Sequence, residues 1–210
     1  MLDYVRDPAE IYRQSFAIIR AETDLSRVPD DLAEVVIRIV HAAATPGIVA
    51  DLAWTPDFAA AAKSALEKGA PILTDTRMVS EGIISRRLPA GNPVICSLYD
   101  DGIPDHAKRI GNTRSAAAVD LWGEKMDGAV IAIGNAPTAL FRLLEILMEA
   151  KDGPRPAAIL GFPIGFVGAA ESKEALIDAD LGIPYLALRG RRGGSALAAA
   201  AINALGRSVD

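Results

Sequence analysis

The stretch AVIAIGNAPTALFRLLEIL, Ala129–Leu147, breaks a short apolar run at Gly-Asn and restarts at once with helical character. The unbroken apolar residues Val130–Ile133 suit a strand covered on both faces, Gly134 permits a close turn, and Pro137 suits the first turn of a helix. From Leu140, residues 143, 144, 147 and 148 share one helix face, while Arg142 and Glu145 sit three apart on another. The reading is strand, turn, helix. It places the loop Gly134-Asn135-Ala136-Pro137-Thr138 at the carboxyl edge of a sheet, where open α/β sheets bind ligands, and makes Asn135 a candidate binding residue.

The unit recurs at Ala157–Leu160 and Tyr185–Leu188, each followed by a Gly-rich turn and a helical stretch. Such repetition predicts a parallel sheet in a three-layer α/β/α arrangement of about five strands. Upstream, helices are expected at Ala9–Glu22, Pro29–Ala43 and Pro56–Lys68, and strands at Pro71–Leu73 and Pro93–Leu98. A further helix opens at Gly111-Asn112-Thr113-Arg114-Ser115 and runs to about Lys125.

With 210 residues, half of them hydrophobic, and a mean hydropathy of +0.22, the chain can bury a sizeable core as a single domain over residues 1–210. The acidic start MLDYVRDPAE has no signal-like apolar region, and no apolar run approaches the ~18 residues of a membrane span, so a cytoplasmic protein with no membrane partner is expected. Cys96 is the lone cysteine, which excludes a disulfide framework and a Cys-based metal site; it reads as a small buried strand residue. A net charge of −5 disfavours nucleic acid, so an anionic ligand would have to meet a local arginine cluster.

In Pro29–Ala43, Leu32, Val35, Val36, Ile39 and Ala43 share a face, and His41 falls opposite them beside Glu34, Ile37 and Arg38. His41 also sits in the last turn, where the negative helix end favours an imidazolium. Arg114 puts positive charge in a helix first turn, a local conflict that an anion would relieve. The same conflict recurs at Arg189-Gly190-Arg191-Arg192-Gly193-Gly194-Ser195, just ahead of another helix. Two such places point to a small polyanion. Arg86-Arg87 reads as a solvated pair, and His106 carries no partner pattern. There is no P-loop, Gly161-x-x-x-Gly165-x-x-Gly168 lacks dinucleotide spacing, and neither Ser172 nor Ser195 lies in a nucleophile elbow.

Seven segments resemble one known family: SFAIIR (Ser15–Arg20), the V-H pair ending at His41, LPAGN (Leu88–Asn92), GNTRSAAA (Gly111–Ala118), AIGNAPTAL (Ala132–Leu140), GFVGAAESK (Gly165–Lys173) and RGRRGGS (Arg189–Ser195). In this order, over nearly the whole chain, they resemble precorrin-8X methylmutase of corrin biosynthesis. The resemblance implies a Rossmann-like sheet, a homodimer, and a cofactor-free, metal-free 1,5-sigmatropic shift of a methyl group from C11 to C12 of a tetrapyrrole, giving hydrogenobyrinic acid. It implies His41 as proton donor and Ser15 and Arg114 as substrate contacts. Arg38, Asn112, Thr113 and Asn135 join them as candidate binding residues, as do Arg189, Arg191, Gly194 and Ser195. One departure is Ala42–Pro46, AAATP, where relatives often carry a Gly. The homodimer also fits the apolar surface of Leu140–Met148 and Ala196–Leu205, which exceeds what five strands need covered. The rival functions are a non-enzymatic carrier of an anionic corrinoid, which uses the same arginines without the acid, and a nucleotide-binding enzyme.

Overall fold

The computed structural model describes residues 2–150 and 152–206; the ends of the expected single domain, Met1 and Asp210, lie outside them. The chain runs α1 (Pro8–Glu22), α2 (Asp30–Ala43), β1 (Leu52–Trp54), α3 (Phe58–Glu67), β2 (Ile72–Thr74), α4 (Arg77–Gly82), β3 (Val94–Ile95) and α5 (Ile103–Arg109). It continues α6 (Arg114–Asp120), β4 (Val130–Ile133), α7 (Pro137–Glu149), β5 (Ala158–Gly161), α8 (Ala169–Asp178), β6 (Tyr185–Leu188) and α9 (Ser195–Leu205). Among the described residues, no helix is long and apolar enough to cross a membrane.

The strands form one sheet in the order β1-β6-β5-β4-β2-β3, parallel throughout except where β1 meets β6. Alternation along the central strands builds the layers. Val130 and Ala132 of β4 face a core made with α2, α3, α4 and α9, whereas Ile131 and Ile133 face one made with α7 and α8. Without β1, the parallel strands read 2-1-3-4-5 in chain order, a doubly wound arrangement whose direction reverses between β2 and β4. That reversal point opens the crevice where ligands are expected.

The sheet has six strands rather than about five. The extra one, β1, is a three-residue antiparallel edge held by pairing with Leu186–Leu188, with nothing in its own sequence to announce it. The strand expected over Pro93–Leu98 is only Val94–Ile95, because the chain turns into a 3-10 segment at Ser97–Tyr99; Cys96 is therefore a half-buried residue just past the strand. The helix expected to reach Lys125 stops at Asp120 and gives way to a 3-10 turn at Gly123–Met126, with Gly123 at φ +44. Ile37, assigned to the outer side of α2, is fully buried. Ala44 ends α2 at φ +48, a left-handed conformation that costs a non-glycine residue such as this alanine about 1–2 kcal/mol.

The apolar faces of α7 and α9 are consumed within the chain: Leu140, Leu143, Leu144 and Leu147 are buried, as are Leu197, Ala198, Ala201 and Ile202. They leave no surplus to argue for a dimer. Apart from Met148 on α7, the large exposed apolar side chains lie elsewhere, notably Phe166 at 83% and Val167 at 89% on the loop after β5, and Ile11, Tyr12 and Ile18 on α1. That helix has no fully buried residue.

Candidate functional site

The carboxyl edge of the sheet collects most of the candidate residues. α7, α8 and α9 follow β4, β5 and β6, so each begins at that edge. Leu52 pairs with Leu188, the last residue of β6, and Arg189 N–H donates to the Asp51 carbonyl at 2.9 Å. The turn Pro46–Asp51, which follows the end of α2, therefore lies along the same edge.

At the end of α2, His41 faces α1. Its Nδ1 lies 3.2 Å from Ser15 Oγ, and its ring stacks on Phe16 with centroids 5.1 Å apart. The Arg38 guanidinium lies over the rings of Tyr12 at 5.1 Å and Phe16 at 5.0 Å. The Ser15 hydroxyl fixes the imidazole through Nδ1, and Nε2 makes no hydrogen bond among the described residues. The ring borders a cavity of about 280 Å³ with Ser15, Ile18, Val40 and Pro46. A helix-bound imidazole, oriented through one nitrogen and open at the other, can donate a proton to a bound molecule.

At the reversal point between β2 and β4, the Asp75 carboxylate is 1% exposed and accepts from three successive N–H groups: Gly134 (2.9 Å), Asn135 (3.0 Å) and Ala136 (2.7 Å). Burial pushes the Asp75 carboxyl above its ordinary range, and the three N–H donors oppose that shift. These donors are thus already taken by the protein's own anion. The loop offers the exposed Asn135 side chain to a ligand, and its amides at Gly134, Asn135 and Ala136 are spent. Gly134 is close-packed as well, since a Cβ there would come within 2.8 Å of Ser195 Cα.

Around this crevice the other candidates take different parts. Thr113 caps α6, accepting from Ala116 N–H at 3.1 Å, and bonds Thr138 Oγ1 at 2.7 Å, which ties the starts of α6 and α7 together. Asn112 Oδ1 accepts from Thr113 N–H at 2.8 Å. Arg114 is exposed and makes no hydrogen bond or ion pair among the described residues. Of the arginines ahead of α9, Arg189 pairs with Glu174 and Arg192 with Asp51, so Arg191 alone lacks an acidic partner among the described residues; its guanidinium lies 5.4 Å over the Phe166 ring. Gly194 precedes α9 at φ +123, and Ser195 is buried at the helix start. No hydrogen bond or ring contact joins the group around His41 to Arg114, Asn135 or Arg191 among the described residues.

The sequence reading missed several contributors. Asp75, in the turn that leaves β2, and Lys173, at the end of the motif GFVGAAESK, carry no sequence signal of their burial, yet both are buried. His106, read as having no partner, faces Asp120 through Nε2 at 2.6 Å and accepts from Arg109 at Nδ1, while Arg142 Nε reaches the same Asp120 at 2.7 Å. That network braces α5, α6 and α7. A larger cavity, about 370 Å³, lies at the opposite edge against Thr55 and Tyr185; its walls include Asp57 and Asp180 but no arginine, lysine or histidine, which does not suit a polyanion.

The family model described as precorrin-8X methylmutase matches residues 10–208. A precorrin-8X methylmutase of a Sinorhizobium species is 56% identical, covering 98% of this chain and 97% of its own, and that of Pseudomonas aeruginosa is 55% identical, covering 98% of each. A cobalt-precorrin-8 methylmutase of Salmonella typhimurium is 38% identical over 97% of each chain. Among solved structures, a precorrin-8X methylmutase from Thermus thermophilus matches with a TM-score of 0.83 at 36% identity, over 94% of each chain.

Proposed function

The chain belongs to the precorrin-8X methylmutase family, and from that premise we propose that it moves a methyl group from C11 to C12 of precorrin-8X to give hydrogenobyrinic acid, with His41 as proton donor. The observation that carries the mechanism is the setting of His41: Nδ1 against Ser15, the ring on Phe16, and Nε2 open. Protonation of the conjugated ring system by Nε2 lowers the barrier to methyl migration. The reaction is an isomerisation with no net proton uptake, so the imidazole regains a proton from the macrocycle before release. Arg38, Arg114 and Arg191, the candidate arginines without an acidic partner among the described residues, meet substrate carboxylates, and Asn135 adds a polar contact. The relatives at 55–56% identity are named for precorrin-8X, which supports a metal-free substrate for this chain. Incubating the purified protein with precorrin-8X, and separately with its cobalt form, tests this by the product's absorbance spectrum. No spectral change with either would end the proposal.

Arg114→Ala should weaken product binding by roughly 1–3 kcal/mol, because it removes a charge-assisted contact, while the unliganded protein keeps its stability, since Arg114 bonds nothing there. Titration of the variant with product, alongside thermal unfolding, checks both halves.

The active unit is proposed to be a homodimer. A cavity of about 280 Å³ beside His41 is small for a macrocycle, and the exposed Ile164, Phe166 and Val167 supply an apolar surface that a second copy would cover. Light scattering at micromolar concentration should report twice the 22.1 kDa chain mass; the single-chain mass would remove this part of the proposal.

A further inference from the structure

Lys173 has no exposed surface, and among the described residues no carboxylate pairs with it. Its chain neighbour Glu174 is engaged by Arg189. Nζ instead donates to two backbone carbonyls, Pro163 at 3.0 Å in the loop after β5 and Arg192 at 2.7 Å in the loop after β6. Burying a charge without a counter-ion is costly, and burial pushes this ammonium down from 10.5 to about 8, which the nearby Glu174 only partly offsets. A lysine that merely filled space here would be better replaced by an apolar side chain of similar volume. Something other than packing therefore accounts for it.

The two loops it joins are otherwise held by little. Gly194 N–H donates to the Phe162 carbonyl at 2.8 Å, and Gly165 N–H to the Arg191 carbonyl at 3.2 Å. Gly193 lets the backbones approach so closely that a Cβ there would collide with the carbonyl oxygens of Phe162 and Pro163. Carbonyl dipoles brought together in this way repel unless a donor sits between them, and an ammonium can donate to both from beneath. On the far side of this junction stand Arg191 and Phe166, stacked on each other and exposed.

We propose that Lys173 is a positioning residue whose ammonium locks the loop after β5 to the loop after β6, so that Arg191 and Phe166 meet the substrate as one unit. It touches neither side chain and acts through the backbone of their neighbours. The part of the test that uses substrate rests on the methylmutase reading; the loop geometry does not.

The test compares wild type, Lys173→Met and Lys173→Gln, the last retaining two N–H donors without the charge. In Lys173→Met, amide exchange at Gly165 and Gly194 should accelerate at least about tenfold while the β4 and β5 amides keep their protection. The melting temperature should stay equal to or rise above that of wild type, because an unpaired buried charge is gone. KM for precorrin-8X should rise about tenfold or more with kcat changed far less, and Lys173→Gln should recover part of that loss. Unchanged exchange at Gly165 and Gly194 would overturn the proposal. So would a lowered melting temperature with faster exchange across the whole sheet, the mark of a plain core residue. If Lys173→Met does not fold, the proposal fails by the same criterion unless Lys173→Gln folds and gives the local exchange pattern. If wild type neither binds nor converts the tetrapyrrole while the exchange results come out as stated, the functional reading falls and the loop lock stands.

Discussion

His41→Ala should still bind the tetrapyrrole product while turnover of precorrin-8X falls by about 10²-fold or more. The two effects separate because the side chains differ in what they hold. The imidazole is exposed at the end of α2, its only hydrogen bond among the described residues is to Ser15, and Arg38 projects from its own position on α2 over Tyr12 and Phe16. Removing the ring therefore leaves the arginines and apolar walls in place. The helix should not suffer either, since Leu32, Val35, Val36 and Ile39 anchor it on the opposite face. A carrier of anionic corrinoids would behave the same in the titration but would have no turnover to lose. Ser15→Ala is the companion variant: it leaves the donor and removes its orienting partner, so its loss should be smaller. Titration with product followed by a spectral assay distinguishes the cases, and near-normal turnover in a folded His41→Ala protein would sink the acid mechanism.

Asp75→Ala is expected to be the most damaging single change to the fold near the site. It strips the acceptor from three N–H groups at once, those of Gly134 and Ala136 buried and that of Asn135 partly so. Each orphaned donor costs about 1–3 kcal/mol, and a water entering the gap recovers part, so a net loss of about 3 kcal/mol or more follows. For a domain of this size that lowers the melting temperature by roughly 6–12 °C. Asp75→Asn keeps one carbonyl oxygen but turns an amine toward the same donors, so it should recover less than half. Thermal unfolding followed by circular dichroism measures both. A melting temperature for Asp75→Ala within about 2 °C of wild type would show that the carboxylate does not hold this loop.

The elements legible in the sequence are those whose signal is local. β4 and β6 lie where the apolar runs put them and β5 one residue later, at Ala158–Gly161, because both faces of these strands are covered and their runs are unbroken. β1 escaped because three residues carry no period; its pairing with β6 spans more than 130 positions. Arg114 stands out in the sequence because a positive charge in a first turn is a local anomaly. The arginines before α9 were not separable, since their partners, Glu174 and Asp51, are fixed by the fold. Asp75 and Lys173 are a stronger case of the same limit. Their residue types predict exposure, and their burial is decided by backbone groups brought in from other strands. The pairing of Ser15 with His41 across 26 positions is likewise invisible to spacing, although the resemblance named both residues.

α1 meets the rest of the molecule through rings, one hydroxyl, the Arg20–Glu34 ion pair and the partly buried Ile19, with none of its residues fully buried. Its detachment would expose little apolar surface, whereas unfolding the sheet exposes two cores. Ser15 and Phe16 belong to the first event and His41 to the second. A calorimetric or denaturant midpoint therefore reports on the donor's platform and is blind to the half of its cradle that arrives with α1; an intact melting curve is no proof of an intact acid.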